Sequence, residues 1–182
     1  MSFPSQLSLQ RGMTLIEVLV TILILSVGLL GMAALQARMQ QSEMEAYQRS
    51  QALLLLDDMA NRLAINRNNV AALLTGTTSI GVGTSSCGSL GNTDKTQWCN
   101  ALQGASESQG NSKVGAMIGG RGCVESLGGG EYLVTVAWQG LGPLSAPPAS
   151  IACGLNQYDG GSDCTNDMCR RVVTTIVRIA NL

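Results

Sequence analysis

The first third of the chain carries a long apolar run. Residues 18–35 contain no charged side chain, and Glu17 is the single charge between Met13 and Ala37. About 20 apolar residues in a helix, at about 1.5 Å per residue, cross a hydrocarbon core of about 30 Å. We therefore predict that residues 13–37 form a membrane-spanning helix.

The pattern changes after the apolar run but stays helical. Residues 38–51 are polar and lack Gly and Pro, and Asn66 opens a helix-stop sequence. Between them, apolar residues recur at a spacing of 4, 3 and 4, which places Ala52, Leu56, Met59 and Leu63 on one helical face. We predict one helix over residues 13–66, in which residues 38–66 are a stalk that packs on a head. The run Leu53–Leu56 is assigned to the core.

The C-terminal part shows strand periodicity. Apolar and polar residues alternate in residues 131–140, and again in the closing segment 170–182, while residues 113–126 are a candidate for a further strand. Glycine clusters at 119–122 and 128–130 are typical of turns. The predicted fold class is α+β: a long helix on a small antiparallel sheet of about three to five strands. The head spans residues 67–182, with Trp98 and Trp138 in its core.

The cysteines indicate a disulfide framework. All 6 lie after residue 86, no histidine is present to complete a mixed zinc site, and no CxxC pair occurs. Disulfides in an oxidising compartment explain this better than a metal site. Six cysteines allow about 15 connectivities, so spacing alone leaves the pairing open. The residues concerned are Cys87, Cys99, Cys123, Cys153, Cys164 and Cys169.

Composition argues against several function classes. The absence of histidine removes the usual triad base, the low aromatic content (3%) disfavours a nucleic-acid stacking surface, and the net charge of −1 gives no sign of a polyanion partner. No Walker loop and no G-x-S-x-G elbow occur. Asp159, Asp163 and Asp167 offer oxygens for calcium, but their spacing does not match an EF-hand, and a solvated loop is favoured. We expect no enzyme activity, no cofactor, no metal and no nucleic-acid partner.

Glu17 helps to distinguish between the interpretations of the N-terminal segment. A secretory signal peptide, cleaved near Gly31-Met32-Ala33, would have a shorter apolar region and no acid. A plain membrane anchor leaves Glu17 unexplained, because an intramembrane carboxylate costs about 2.5–3.5 kcal/mol at mid-span. Snorkelling of the carboxylate to the interface is a further possibility. A cut between Gly12 and Met13 would instead create an amino terminus four residues from Glu17.

The stretch RGMTLIEVLVTILILSVGLLGMAALQ resembles the class III signal of type IV pilins and type II secretion pseudopilins. The resemblance implies that residues 1–12 are a leader, which prepilin peptidase removes between Gly12 and Met13. It also implies N-methylation of Met13 and a role for Glu17 in subunit assembly. Gly28 and Gly31 lie where related helices loosen, although close packing explains them equally well. Many major pilins have proline at the position of Ala34, so this chain departs from them there.

Among these proteins, the sequence of this stretch is most similar to that of minor pilins of the type IV pilus modification subfamily. This implies a subunit that primes assembly or forms the pilus tip for adhesion and twitching motility. Its partners would be other minor and major pilins, prepilin peptidase, the inner-membrane assembly platform, membrane lipid and a tip adhesin. It would first sit in the inner membrane as a single-pass protein with a periplasmic head, and later in the extracellular filament. A minor pseudopilin of a type II secretion system is the alternative, and a membrane-anchored enzyme is the least favoured.

The resemblance also suggests a disulfide pairing. A C-terminal disulfide loop is typical of pilins, and a bond between Cys164 and Cys169 would resemble it. The preferred full pairing joins Cys87 to Cys99, Cys123 to Cys153 and Cys164 to Cys169.

Overall fold

The computed structural model describes residues 12–84, 86–105, 108–110, 112–113, 115, 117–161 and 163–180. The leader predicted over residues 1–12 lies outside the described residues except for Gly12. Contacts divide the chain into two compact units, with the boundary between Ser42 and Glu43.

One long helix, α1 (Leu15–Ile65), dominates the N-terminal half. Its bounds agree with the predicted 13–66 within the uncertainty of helix ends. The predicted apolar face is buried: Ala52, Leu56, Met59 and Leu63 are each at most 3% exposed. The assignment of the whole run Leu53–Leu56 to the core was wrong. Leu53 and Leu54 are 42% and 62% exposed, because they point away from the buried face at helical spacing.

A second helix, α2 (Thr93–Leu102), follows two 3₁₀ turns at Arg67–Leu73 and Cys87–Leu90. Asn92 caps it, because its side-chain oxygen accepts a hydrogen bond from the Lys95 amide at 3.0 Å. Arg62 of α1 joins the two helices by donating to Asp94 of α2 at 2.7 Å, and it also donates to Asp58 of its own helix at 3.0 Å. The sequence analysis did not predict α2.

Four antiparallel strands form the main sheet, in the order β1–β4–β5–β6. This is the predicted α+β class, with a long helix packed on a small antiparallel sheet. Their bounds are β1 (Ile80–Gly81), β4 (Arg121–Gly128), β5 (Glu131–Gln139) and β6 (Arg170–Arg178). A separate two-stranded ribbon consists of β2 (Ser108–Gln109) and β3 (Ser112–Lys113).

The hairpin between β4 and β5 turns on two glycines. Gly128 pairs with Glu131, and the two residues between them, Gly129 and Gly130, have φ of 62° and 81°. Tight two-residue hairpins need positive φ at both central positions, which glycine adopts without a Cβ clash.

The core lies between the helices and one face of the sheet. Alternate residues of β5, Val134, Val136 and Trp138, pack with the buried face of α1 and with Trp98 of α2. The predicted core positions of both tryptophans are confirmed, with exposures of 0% and 4%. The opposite face of the sheet carries Cys123, whose disulfide to Cys153 holds the segment after β5 against it.

Candidate functional site

The first candidate site is the entry to α1. Gly12, Met13 and Thr14 precede the helix, and Glu17 lies in its first turn. The Glu17 amide donates to Thr14 Oγ1 at 3.4 Å, so Thr14 acts as a weak cap. A carboxylate in a first helical turn is favoured by the helix dipole. All four residues are exposed in the single chain, so the segment is open to other molecules.

The Glu17 carboxylate has no cation within ion-pair distance among the described residues. The part of α1 that follows it is apolar and exposed; Leu29 and Leu30, for example, are 65% and 72% exposed. An exposed apolar surface of this extent is typical of a membrane or protein interaction site. Glu17 therefore stands beside a surface that needs a partner.

By length and composition, α1 is able to cross a membrane, with a mean hydropathy of 2.6 in its most apolar window. It is the one such helix in the described part of the chain.

The helix runs unbroken through Gly28 and Gly31, and a Cβ at either position would meet no atom within 4 Å. In the single chain, neither glycine therefore loosens the helix or mediates a close contact.

The second candidate region is the disulfide framework of the head. The structure pairs Cys87 with Cys99, Cys123 with Cys153 and Cys164 with Cys169. These are the same pairs as the preferred connectivity. The first bond ties a 3₁₀ turn to α2, the second ties the sheet to the segment after β5, and the third closes a short C-terminal loop. No described cysteine is free.

The acidic loop was predicted to be solvated rather than a calcium site. Asp159 and Asp163 are exposed, but the prediction was wrong for Asp167, which is buried and pairs within the chain. Asp167 is 4% exposed; its Oδ1 accepts from the Asn156 amide at 2.8 Å, and its Oδ2 lies 3.2 Å from Arg170 Nε. Asp159 Oδ1 accepts from the Asp167 amide at 2.8 Å. Within the described ranges, no group of three or more His, Cys, Asp or Glu side chains is placed to hold a metal ion.

One feature of the head escaped the sequence analysis. Arg121, within a glycine cluster interpreted only as a turn, begins β4 and lines a cavity. A single arginine among glycines carries no periodic signal, and the other walls of this cavity come from segments far away in sequence. No sequence pattern would have brought them together.

Comparison with known proteins bears on the entry to α1. No curated protein and no solved structure matches the chain significantly. A protein-family model does match, and the matched residues include Gly12, Met13, Glu17 and the beginning of the apolar helix. Residues 7–33 thus carry the prokaryotic N-terminal methylation motif.

Proposed function

We propose that the chain is the precursor of a minor pilin of the type IV pilus, most similar to the type IV pilus modification proteins (PilV type). Prepilin peptidase cleaves it between Gly12 and Met13 and methylates the new amino group of Met13. Residues 13–37 then hold it in the inner membrane, with its head in the periplasm. From there it joins the filament through contacts with other minor and major pilins.

One observation carries this proposal. The methylation motif at residues 7–33 includes the first part of α1, and the last third of the same helix contributes to the core of a disulfide-stapled α+β head. A secretory signal peptide would be removed from the mature protein, and cleavage near Ala34 would separate the apolar segment from the head. A filament subunit needs both parts in one helix. The combination therefore favours an assembling subunit over a secreted protein.

Glu17 gives the proposal its physical mechanism. Cleavage after Gly12 leaves a charged amine at Met13, and methylation of an amine keeps that charge. Buried among apolar helices, the Glu17 carboxylate is costly unless it finds a cation. The described part of its own chain offers none, so we propose the terminal amine of a neighbouring subunit as its partner. Because an unpaired buried charge is strongly destabilising, this pairing would fix the register of each added subunit.

The head supports a role outside the cytosol. Three disulfides stabilise the head, which holds most of the 22 glycines of the chain, and such bonds persist in oxidising compartments. We propose that the head contacts other pilins and a tip adhesin, and thereby primes assembly or forms the tip for adhesion and twitching motility. The inner-membrane platform would receive the subunit after cleavage. Nothing in this role requires catalysis by the chain itself.

The N-terminus and the location of the protein test the proposal. Intact-mass and N-terminal peptide analysis should show loss of residues 1–12 and one methyl group on Met13. Sheared pili should contain the protein. Gly12→Leu should block both modifications, since the peptidase needs a small residue before the cut, while the matched control Gly28→Ala should be processed normally.

Two outcomes would contradict the proposal. An amino terminus near Ala34 would mean secretory cleavage. Normal processing with no protein in sheared pili, together with a defect in protein secretion, would favour the alternative of a type II secretion pseudopilin. The matched motif does not distinguish these two systems, so location is the decisive measurement.

A further inference from the structure

A cavity of about 310 Å³ opens on the head, on the side of the sheet away from α1. Its walls are the segments 77–83 and 152–157, and Arg121 of β4 lies between them. Ligand pockets range from about 300 to 1,000 Å³, so this cavity suits a small molecule.

The lining is rich in hydrogen-bonding groups and carries one charge. Thr77, Thr78 and Ser79 bring hydroxyl groups on one wall, and Gln157 brings a carboxamide on the other. Arg121 is the sole charged residue among the described residues that line the cavity. The cavity therefore combines one cation with several neutral hydrogen-bonding side chains.

The guanidinium of Arg121 is held in place without an acidic partner. It stacks on the ring of Tyr158 at 5.0 Å from the centroid, and its Nη1 donates to the Gly119 carbonyl at 3.4 Å. The described part of the chain contains no carboxylate within ion-pair distance of it. A guanidinium fixed in this way keeps donors for a planar oxyanion.

Tyr158 supports the stacking from a buried position. It is 3% exposed, and its hydroxyl donates to the Gly119 carbonyl at 2.8 Å. Burial raises the pKa of Tyr158 to about 12, although Arg121 opposes the rise. The phenol therefore remains a neutral donor, and its ring remains a platform for the arginine, at physiological pH.

Gly83 keeps the space beside the guanidinium open. Its φ is +94°, a conformation that favours glycine, and a Cβ there would lie 3.4 Å from Arg121 Nη2.

The cavity wall formed by residues 152–157 is held in position by a disulfide and by hydrogen bonds. The Cys123–Cys153 disulfide joins it to β4, and Arg170 donates to the carbonyls of Ile151 and Cys153 at 2.7 and 3.2 Å. Such fixed walls lower the entropic cost of binding.

We propose that this cavity binds a compact hydroxylated carboxylate, a sugar acid, through Arg121 and the Thr77–Ser79 wall. The planar fork of arginine fits a carboxylate in a bidentate manner. The hydroxyl and amide side chains of the cavity can form hydrogen bonds with the hydroxyl groups of a sugar. If the ligand were an acidic protein side chain, these hydrogen-bonding groups would be left unused. The proposal is independent of the proposed filament function and does not depend on how the N-terminus is processed.

The test uses the full-length protein in detergent micelles, with D-glucuronate as the probe and saturation-transfer difference NMR as the readout. D-glucuronate should give a saturable signal, and D-glucose should bind far more weakly. Inorganic phosphate should compete less well than unlabelled glucuronate, because it lacks the sugar hydroxyl groups that the Thr77–Ser79 wall would bind. Arg121→Gln should weaken glucuronate binding by about tenfold or more, since hydrogen bonds to a charged group are the strong ones. Arg49→Gln, which removes an exposed arginine on α1, is the matched control and should bind normally.

A second variant keeps the test valid if Arg121→Gln disturbs the fold. Val82 lines the cavity and is 37% exposed, so Val82→Trp should fill the space while leaving the charge in place. It should abolish the signal. The proposal fails if glucuronate gives no signal at millimolar concentration, if phosphate displaces it as effectively as unlabelled glucuronate does, or if both cavity variants bind as the unmodified protein does.

Discussion

The packing of Trp98 on Gly122 leads to a quantitative prediction about the head. Gly122 of β4 lies directly under the indole ring, and a Cβ at this position would sit 2.7 Å from both Cζ2 and Cζ3 of Trp98. The ring has no room to move: it is 0% exposed, and its Nε1 donates to the Leu55 carbonyl of α1 at 2.9 Å. The absence of a side chain at Gly122 thus allows α1, α2 and the sheet to meet at one ring.

We expect Gly122→Ala to destabilise the head by about 1–3 kcal/mol, the usual cost of overpacking a filled core. For a domain of this size, that corresponds to a fall in Tm of roughly 3–10 °C. Gly142→Ala is the matched control, because a Cβ there meets no atom within 4 Å. Its effect should stay within about 0.5 kcal/mol.

A double-mutant cycle with Trp98→Leu tests the cause. Once the ring is gone, Gly122→Ala should be nearly neutral, because alanine is otherwise the better residue in a strand interior. The expected coupling is about 1–3 kcal/mol. The assay is urea unfolding of the full chain in detergent without reductant, followed by tryptophan fluorescence. Trp138, the second of the 2 tryptophans, remains as the probe in the Trp98→Leu variants. Additive effects within about 0.5 kcal/mol, or a neutral Gly122→Ala, would refute the packing argument.

Three further predictions concern charge and cross-links. Glu17→Ala should leave processing intact but reduce incorporation into sheared pili by more than about tenfold, since it would remove one partner of the proposed pair between Glu17 and a terminal amine. Glu43→Ala is the control, and immunoblots of pili and membranes give the measurement. Burial raises the pKa of Glu125 above 4.5, and its Oε1 is buried without a hydrogen-bond partner. Because the folded state then favours the protonated acid, its stability falls as pH rises through that pKa. Glu125→Gln should accordingly raise Tm at pH 7 and lose this advantage below pH 4.5, and equal Tm gains at both pH values would contradict the assignment. Replacing both Cys123 and Cys153 with serine should lower the free energy of unfolding by about 3–4 kcal/mol, because this disulfide joins residues 30 positions apart. Removing the Cys164–Cys169 disulfide, whose separation is 5 residues, should cost about 2 kcal/mol. Equal losses in urea unfolding would argue against the loop-entropy explanation.

The sequence predicted the elements whose side chains repeat over long stretches. The buried face of α1 and the alternation of β5 both arise from periodic contact with one core, and the period is visible without a structure. Helix α2 was missed because it is short and lies among glycines. Its signals, the Asn92 cap and the spacing of Trp98 and Leu102, are each weak alone, and only the tertiary contacts of Trp98 make the helix stable.

The two candidate sites differ in the same way. The methylation motif is local, so consecutive residues around Gly12 and Glu17 reveal it. The Arg121 cavity depends on contacts between segments more than 30 residues apart, such as the hydrogen bond from Tyr158 to Gly119, which spans 39 positions. Without knowledge of the strand order, nothing connects these segments. Sites of this kind become visible only after the chain has folded.

The burial of Ala52, Leu56, Met59 and Leu63 limits how the head can be isolated. Any shortened chain that aims at a water-soluble head must still contain the last third of α1, because these side chains fill the space above the sheet. A start near Glu43 removes the exposed apolar segment and keeps them. A fragment that starts at Asn66 would expose the apolar side chains of β5 to solvent, and it should aggregate rather than fold.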